Sequence, residues 1–437
     1  MSDADEFFSD DRTSAREETI ELPEGGYEQF LFALDDPKLA RYRGMRYNDY
    51  SRERTSPSFV QDLLGDWEAL YQAPFRGVTA DGELVAGLYE LPAEGVSAPA
   101  TRLAAEKVLG ILSPDERERF CHDLDDREWR SWSNPEFVIH STGLRLEVLD
   151  QSKVVAFHEL MRASLSPEGY QLVVSLMDLN GYLGKLTDLP TVLSAESYWV
   201  SLFGTPSDTE PWGWQLFGHH VAINFLQVGG RQVVAPVFLG AEPADSINGF
   251  PVPFSERVAL ALDLAASFTP QQRAQAVVYE SVLDPSMPPD RLHPADERHV
   301  AGAFRDNRVI PYEGLVAATL DDAQWGRLRA ILEDFLILVI EPERAATIAE
   351  IDAHRDETHL AWYGATDGTQ PFYLRIQSPV ILAELDHHAG VWLNNQLPAK
   401  FHIHTTLRLP NGNDYGRRFI SQWRERHGDP TNQKWIG

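Results

Sequence analysis

From Gly213 to Leu239 the chain alternates along Val-, Phe- and Ile-rich runs and is interrupted by Gly229-Gly230. A period of two belongs to a strand rather than a helix. Two glycines between such runs suit a two-residue hairpin turn. The pattern predicts a strand, a tight turn and a strand. Phe372 to Asp386 and Lys400 to Leu409 read as strands by the same rule.

Helix signals occupy much of the remainder. Ser113-Pro114-Asp115-Glu116, Ser166-Pro167-Glu168 and Thr269-Pro270-Gln271-Gln272 each set a capping hydroxyl before a first-turn proline. Thr101 to Cys121 predicts two helices. Ser58 to Gln72 predicts one, and another starts at Leu320-Asp321-Asp322-Ala323 and continues towards Glu341. The fold class is α+β, with helices packed on antiparallel sheet. Gly218-His219-His220-Val221-Ala222-Ile223-Asn224-Phe225 can be laid against Ser378-Pro379-Val380-Ile381-Leu382-Ala383-Glu384-Leu385, an echo that would make two related sheet halves. Residues 1–70 read as an N-terminal extension, polar and disordered up to Glu24, and 71–437 as a single catalytic-type domain.

The composition narrows the chemistry. With 437 residues, 43% of them hydrophobic, a large core is available. No apolar run approaches the roughly 18 residues of a membrane helix, and the acidic start lacks the pattern of a signal peptide. A soluble, cytoplasmic protein is expected. Cys121 is the one cysteine, so neither an intrachain disulfide nor a cysteine-rich zinc site can form. A net charge of −28 would repel nucleic acid and anionic membranes. The expected partner is a small-molecule substrate; the sequence leaves the oligomeric state open.

The sharpest chemical signal is Lys400-Phe401-His402-Ile403-His404-Thr405-Thr406-Leu407-Arg408. On a strand, His402, His404, Thr406 and Arg408 share one face. Same-face neighbours stand about 7 Å apart, so both imidazoles can reach one ion. The alternative is a pair of hydrogen-bonded strand histidines. In the 218–225 run, His220 sits with Ala222 and Asn224, which suggests a ligand with His219 as its hydrogen-bonding support; two structural histidines are the alternative. Glu384 and Asp386 interrupt an apolar strand. A buried acid there needs a metal or a cation, and Arg375 and Arg408 are candidate cations. His387 and His388 follow where the strand should end and are expected to face solvent. Asp414, in the turn Asn411-Gly412-Asn413-Asp414-Tyr415-Gly416, could orient a histidine, position Arg408 or cap a helix. His140, His293 and His299 have no evident company. Phosphate-loop, dinucleotide-turn, serine-elbow and H-E-x-x-H patterns are missing. Cys121 lies in an acidic stretch that would raise its pKa.

The runs FGTPSDTEPWGWQLFGHHVAINF, FLGAEP, DNRVIPYEGL, FYLRIQSPVILAELD and HIHTTLRLPNGNDYG together resemble a domain family of unknown function, the one numbered 3500. The resemblance spans about Pro74 to Arg426. It implies one architecture containing the GHH and HIH motifs and supplies no substrate. His387-His388 departs from the non-histidine polar residues expected after the acidic strand.

These residues suggest a metal-dependent enzyme of hydrolase or lyase type acting on a small organic molecule. His220, His402 and His404 would bind a divalent ion, with Glu384 as fourth ligand or general base and Arg408 holding substrate charge. Zinc is the first choice; copper, iron or manganese would serve. A copper or non-haem iron oxygenase or oxidase is the enzyme alternative. A small-ligand-binding protein without catalysis is the other.

Overall fold

The computed structural model describes Leu22 and residues 25–92, 99–247 and 250–428. The segment expected to be disordered lies, Leu22 apart, outside the described residues.

Capping fixes where many helices begin. α1 (Pro37–Ala40), α2 (Tyr47–Arg54) and α3 (Ser58–Gln72) come first. α4 (Pro99–Ile111) and α5 (Pro114–Phe120) follow, and Ser113 and Glu116 close a reciprocal capping box on α5. Then come β1 (Cys121–His122), β2 (Leu144–Arg145), α6 (Gln151–Ser164) and α7 (Pro167–Leu186). Four strands complete the first half: β3 (Tyr198–Gly204), β4 (Trp212–Gly218), β5 (Val221–Val228) and β6 (Arg231–Ala241). The order then repeats: α8 (Ser255–Ala266), α9 (Pro270–Ala276), β7 (Val277–Tyr279), β8 (Leu315–Val316), α10 (Asp322–Phe335) and α11 (Glu341–Ala353). β9 (His359–Tyr363), β10 (Tyr373–Gln377), β11 (Leu382–His387) and β12 (Ile403–Arg408) follow, and α12 (Arg417–His427) is last.

Two expected single elements are each divided. The helix expected from Leu320 towards Glu341 ends at Phe335, and α11 starts with Pro342 in its first turn, where a missing N–H is tolerated. The strand expected from Phe372 to Asp386 turns at Ser378-Pro379. There the Ser378 hydroxyl accepts from Val380 N and Ile381 N, making β10 and β11 a hairpin.

All twelve described strands form one mixed sheet, in the order β1-β3-β4-β5-β6-β12-β11-β10-β9-β7, with β2 on β3 and β8 on β9. The sheet is not wholly antiparallel, because β1 and β7 pair parallel with β3 and β9. The halves meet at β6 and β12, where Gly240 lies opposite His404 and Phe238 opposite Thr406. The match is local as well. Gly143 and Gly314 take φ of +84° and +83°, and a Cβ on either would collide with a carbonyl, that of Val200 or of Leu360. Each begins Gly-Leu followed, after four residues, by Leu-Asp. The echo 218–225 and 378–385 falls on matching positions, the β4–β5 and β10–β11 turns and the strands after them.

Alternation assigns the two faces. Trp214 packs on Phe157 and donates to Ser164 Oγ, both on α6. Leu407 faces Leu336 and Val339, beside α10. The opposite face is covered by loops: Gln215 donates to Trp129 O, and Arg408 to Ala301 O and Gly302 O. α3 lies on that side too, with Trp67 and Tyr71 against Phe304. Among the described residues, no helix is long and apolar enough to cross a membrane.

Candidate metal centre

β12 delivers two imidazoles to the loop-covered face. His404 is on the strand and His402 just precedes it; their Nε2 atoms are 3.0 Å apart. His402 Nδ1–H donates to Ala389 O at 2.7 Å, which fixes the tautomer and turns Nε2 towards His404. His220 comes from the other half of the molecule. It ends the two-residue turn between β4 and β5 with φ +65°, a backbone state that costs roughly 1–3 kcal/mol for a residue with a side chain. The turn is held from three sides. His220 N donates to Asn134 Oδ1 at 2.9 Å, Gly240 N to His220 O at 2.8 Å, and the Tyr198 hydroxyl to His219 O at 3.1 Å.

One ligand nitrogen from each of His220, His402 and His404 lies within 4.8 Å of the others, and all three residues are buried. Ring centres of His220 stand 5.4 Å from His402 and 5.1 Å from His404. Room for the rings comes from Gly240: a Cβ there would lie 2.8 Å from Cδ2 of both His220 and His404. Burial, then the neighbouring histidines, holds His220 and His404 well below the ordinary imidazole pKa. Both are thus neutral near pH 7, the form that binds metals.

A second group adjoins the first. His299, Asp386 and His388 offer ligand atoms within 4.8 Å of one another, again all buried. Alternation carries Asp386 and His388 to one face, with His388 Nε2 3.2 Å from Asp386 Oδ2. His299 Nδ1 pairs with Thr406 Oγ1 at 2.9 Å. The His388 ring centre is 3.9 Å from that of His404. Either group could hold a metal ion.

Buried ionic partners surround the two groups. Glu242 accepts from Val391, Trp392 and Leu393 N and stands 3.9 Å from His402 Nδ1. Burial pushes its carboxyl up to about 7 against the pull of those N–H groups. Arg298 pairs with Asp386 at 2.7 Å and Glu297 at 2.7 Å. Beside the histidines is a cavity of about 60 Å³, whose walls include Trp67, Pro135, Phe137, Glu297 and Val391 as well as His220, His388 and His404.

The other residues singled out from the sequence take several roles. Register sets Asp386 opposite His404 and Glu384 opposite Thr406. Neither Arg375 nor Arg408 is the partner of Glu384. Its carboxylate accepts from Val300 N, Ala301 N and the Tyr373 hydroxyl, while Arg375 pairs with Glu313. Arg408 is bound on both edges of its guanidinium, to Asp306, Asp414 and two carbonyls. Asp414 therefore positions Arg408, and it also accepts from Leu409 N; burial raises it to about 6. Asn224 pairs with Gln215 and Pro236 O. His219 stacks on His220 at 3.8 Å and donates from Nδ1 to Asn180, so it touches His220 by ring contact rather than by a hydrogen bond. Burial, not the acidic neighbours, raises the Cys121 pKa.

His387 and His388 do not face solvent. β11 runs under the 297–301 loop, leaving them 2% and 3% exposed. His387 Nδ1–H donates to Phe372 O, whereas His388 joins the second group. Carrying the alternation of Glu384 and Asp386 one step further would have found His388. His299 and Asn134 sit in irregular loops where no periodicity marks them, and Gly240 is an unremarkable strand glycine until the rings above it are seen.

A family model described as a protein of unknown function, DUF3500, matches residues 94–417. The chain belongs to the DUF3500 family. The match in this DUF3500 protein takes in every residue of both histidine groups and leaves α1 to α3 outside it. Comparison with curated proteins and with solved structures returned no match.

Proposed function

We propose that this DUF3500 protein is a metal-dependent enzyme acting on a small organic molecule, with hydrolysis or a lyase step as its chemistry. The observation that carries the reading is the convergence of the buried His220, His402 and His404 beside a cavity. Three nitrogen ligands with an open position form the donor set of catalytic zinc sites, in which the ion lowers the pKa of water to about 7. The protein's own groups hold and aim the ligands. Ala389 O orients His402, Asn134 and Gly240 fix the His220 turn, and the His219 ring backs His220. Trp67, Phe137 and Val391 would shield the reacting groups from bulk water. A cavity of about 60 Å³ has room for only a few water-sized groups, which favours a small substrate.

The test is metal analysis of protein purified without a histidine tag, followed by assays on small esters, amides and lyase substrates. About one or more equivalents of zinc, with turnover lost in His404→Ala, is the expected result. No metal retained from added zinc, copper, iron or manganese would reduce the protein to a ligand-binding module. Bound copper or iron with a ligand-field spectrum would favour an oxygenase or oxidase over a hydrolase.

A further inference from the structure

We infer that His299, Asp386 and His388 hold a second cation beside the first, so that the centre is dinuclear. The inference rests on the proposed metal site and concerns a different set of ligands.

The first support is an unmet need. His299 Nε2 is buried and has no hydrogen-bond partner. Leaving a buried polar nitrogen unsatisfied costs roughly 1–3 kcal/mol, so the position calls for a ligand. Thr406 engages His299 at Nδ1 and leaves Nε2 as the free atom. His388 Nε2 meets Asp386 Oδ2 at 3.2 Å, so an imidazole and a carboxylate already face each other beside it. A cation among these groups would satisfy the His299 nitrogen.

The second support is charge. Arg298 is shared between two buried acids, Asp386 and Glu297, and Glu297 is also 3.7 Å from His388 Nδ1. Buried carboxylates beside imidazoles make a nitrogen and oxygen donor set that suits a cation. Asp386 uses Oδ1 for Arg298 Nε, while Oδ2 accepts from Arg298 N at 3.3 Å and faces His388.

The third support is placement. The two groups are neighbours across a cross-strand pair, since Asp386 lies opposite His404. His388 and His404 rings are 3.9 Å apart, and His299 and His404 rings 6.2 Å. Two-metal enzymes hold their ions about 3.5–4 Å apart and use them to clamp both sides of the reacting group. His388 and His404 also line the same cavity, so a substrate there would meet both positions.

The test uses the full, untagged chain, stripped by chelation and reloaded with zinc or with manganese alone. The expected zinc stoichiometry is two per chain, falling to one in His299→Ala and to one in His402→Ala. The manganese-loaded protein should give the spin-coupled electron paramagnetic resonance spectrum of a close pair. One equivalent in wild type, kept in His299→Ala and lost in His402→Ala, would overturn the second site and leave the proposed function standing. Zero equivalents in wild type would overturn both. Two equivalents retained in His299→Ala would also overturn the assignment. Should that variant fail to fold, the wild-type stoichiometry and spectrum decide: one equivalent, or the six-line signal of isolated manganese, overturns it.

Discussion

Gly240 has no side chain at the point where two imidazoles lie over the sheet. A methyl group there would meet His220 and His404 at 2.8 Å each. Both rings belong to a packed arrangement in which movement of one disturbs the rest. Gly240→Ala is therefore expected to weaken metal binding by about 10–100-fold, as loss of a ligand-positioning contact does, while the sheet persists. Titration with zinc checks it. Gly326→Ala, inside α10 where nothing lies within 4 Å, should leave binding unchanged and raise stability by about 0.5–1 kcal/mol. Equal zinc affinity in Gly240→Ala and wild type would show that the rings do not depend on the space. At this scale the strand pair His402 and His404 was readable, because alternation alone sets two side chains on one face. His299 and Asn134 were not, because a side chain on an irregular loop has no period to announce where it points.

Among the elements, β12 and the loops above it are joined by buried ion pairs and hydrogen bonds. Arg408 ties the strand to Asp306 in one loop and to Asp414 in the next, and Arg130 from a third loop reaches the same Asp306. Arg408→Met keeps the bulk and removes the charge, leaving Asp414 buried without its cation. The expected cost is about 3–5 kcal/mol, as for other broken buried pairs, read from the urea midpoint. A loss below about 1 kcal/mol would mean that the loops are held by other contacts. Elements with local signals were legible: Ser58 to Gln72 marks α3 to the residue, and the capped helices start where their Ser-Pro and Thr-Pro pairs stand. What local signals missed were interruptions, at Ser378-Pro379 and before Pro342, where a proline divides a run whose apolar pattern continues. The loops over the site were not legible, since their positions follow from buried arginines whose partners lie far away in sequence.

Across the whole molecule, two similar halves share one sheet, and the centre draws on both. His220 belongs to the first half, while His402 and His404 belong to the second, more than 180 positions away. The repeat was faintly visible in the sequence at its turns. The meeting of the two motifs was not, because the β6–β12 pairing that joins them is a long-range contact. A ligand that binds only the completed fold adds stability by mass action. Chelation is thus expected to lower the thermal midpoint of wild type by more than that of His404→Ala; equal shifts in both would place the stabilising ion elsewhere.

That separation also sets an order of events in time. A zinc finger needs its ion to fold at all, since its ligands are close in sequence and little else orders the chain. Here the ligands converge only after the central strands have paired, and closing so long a loop is among the late, slow steps of folding. An ion bound there would arrive at a structure already built. Its presence should leave the refolding rate alone and slow unfolding, so that it would act as a latch on the finished molecule.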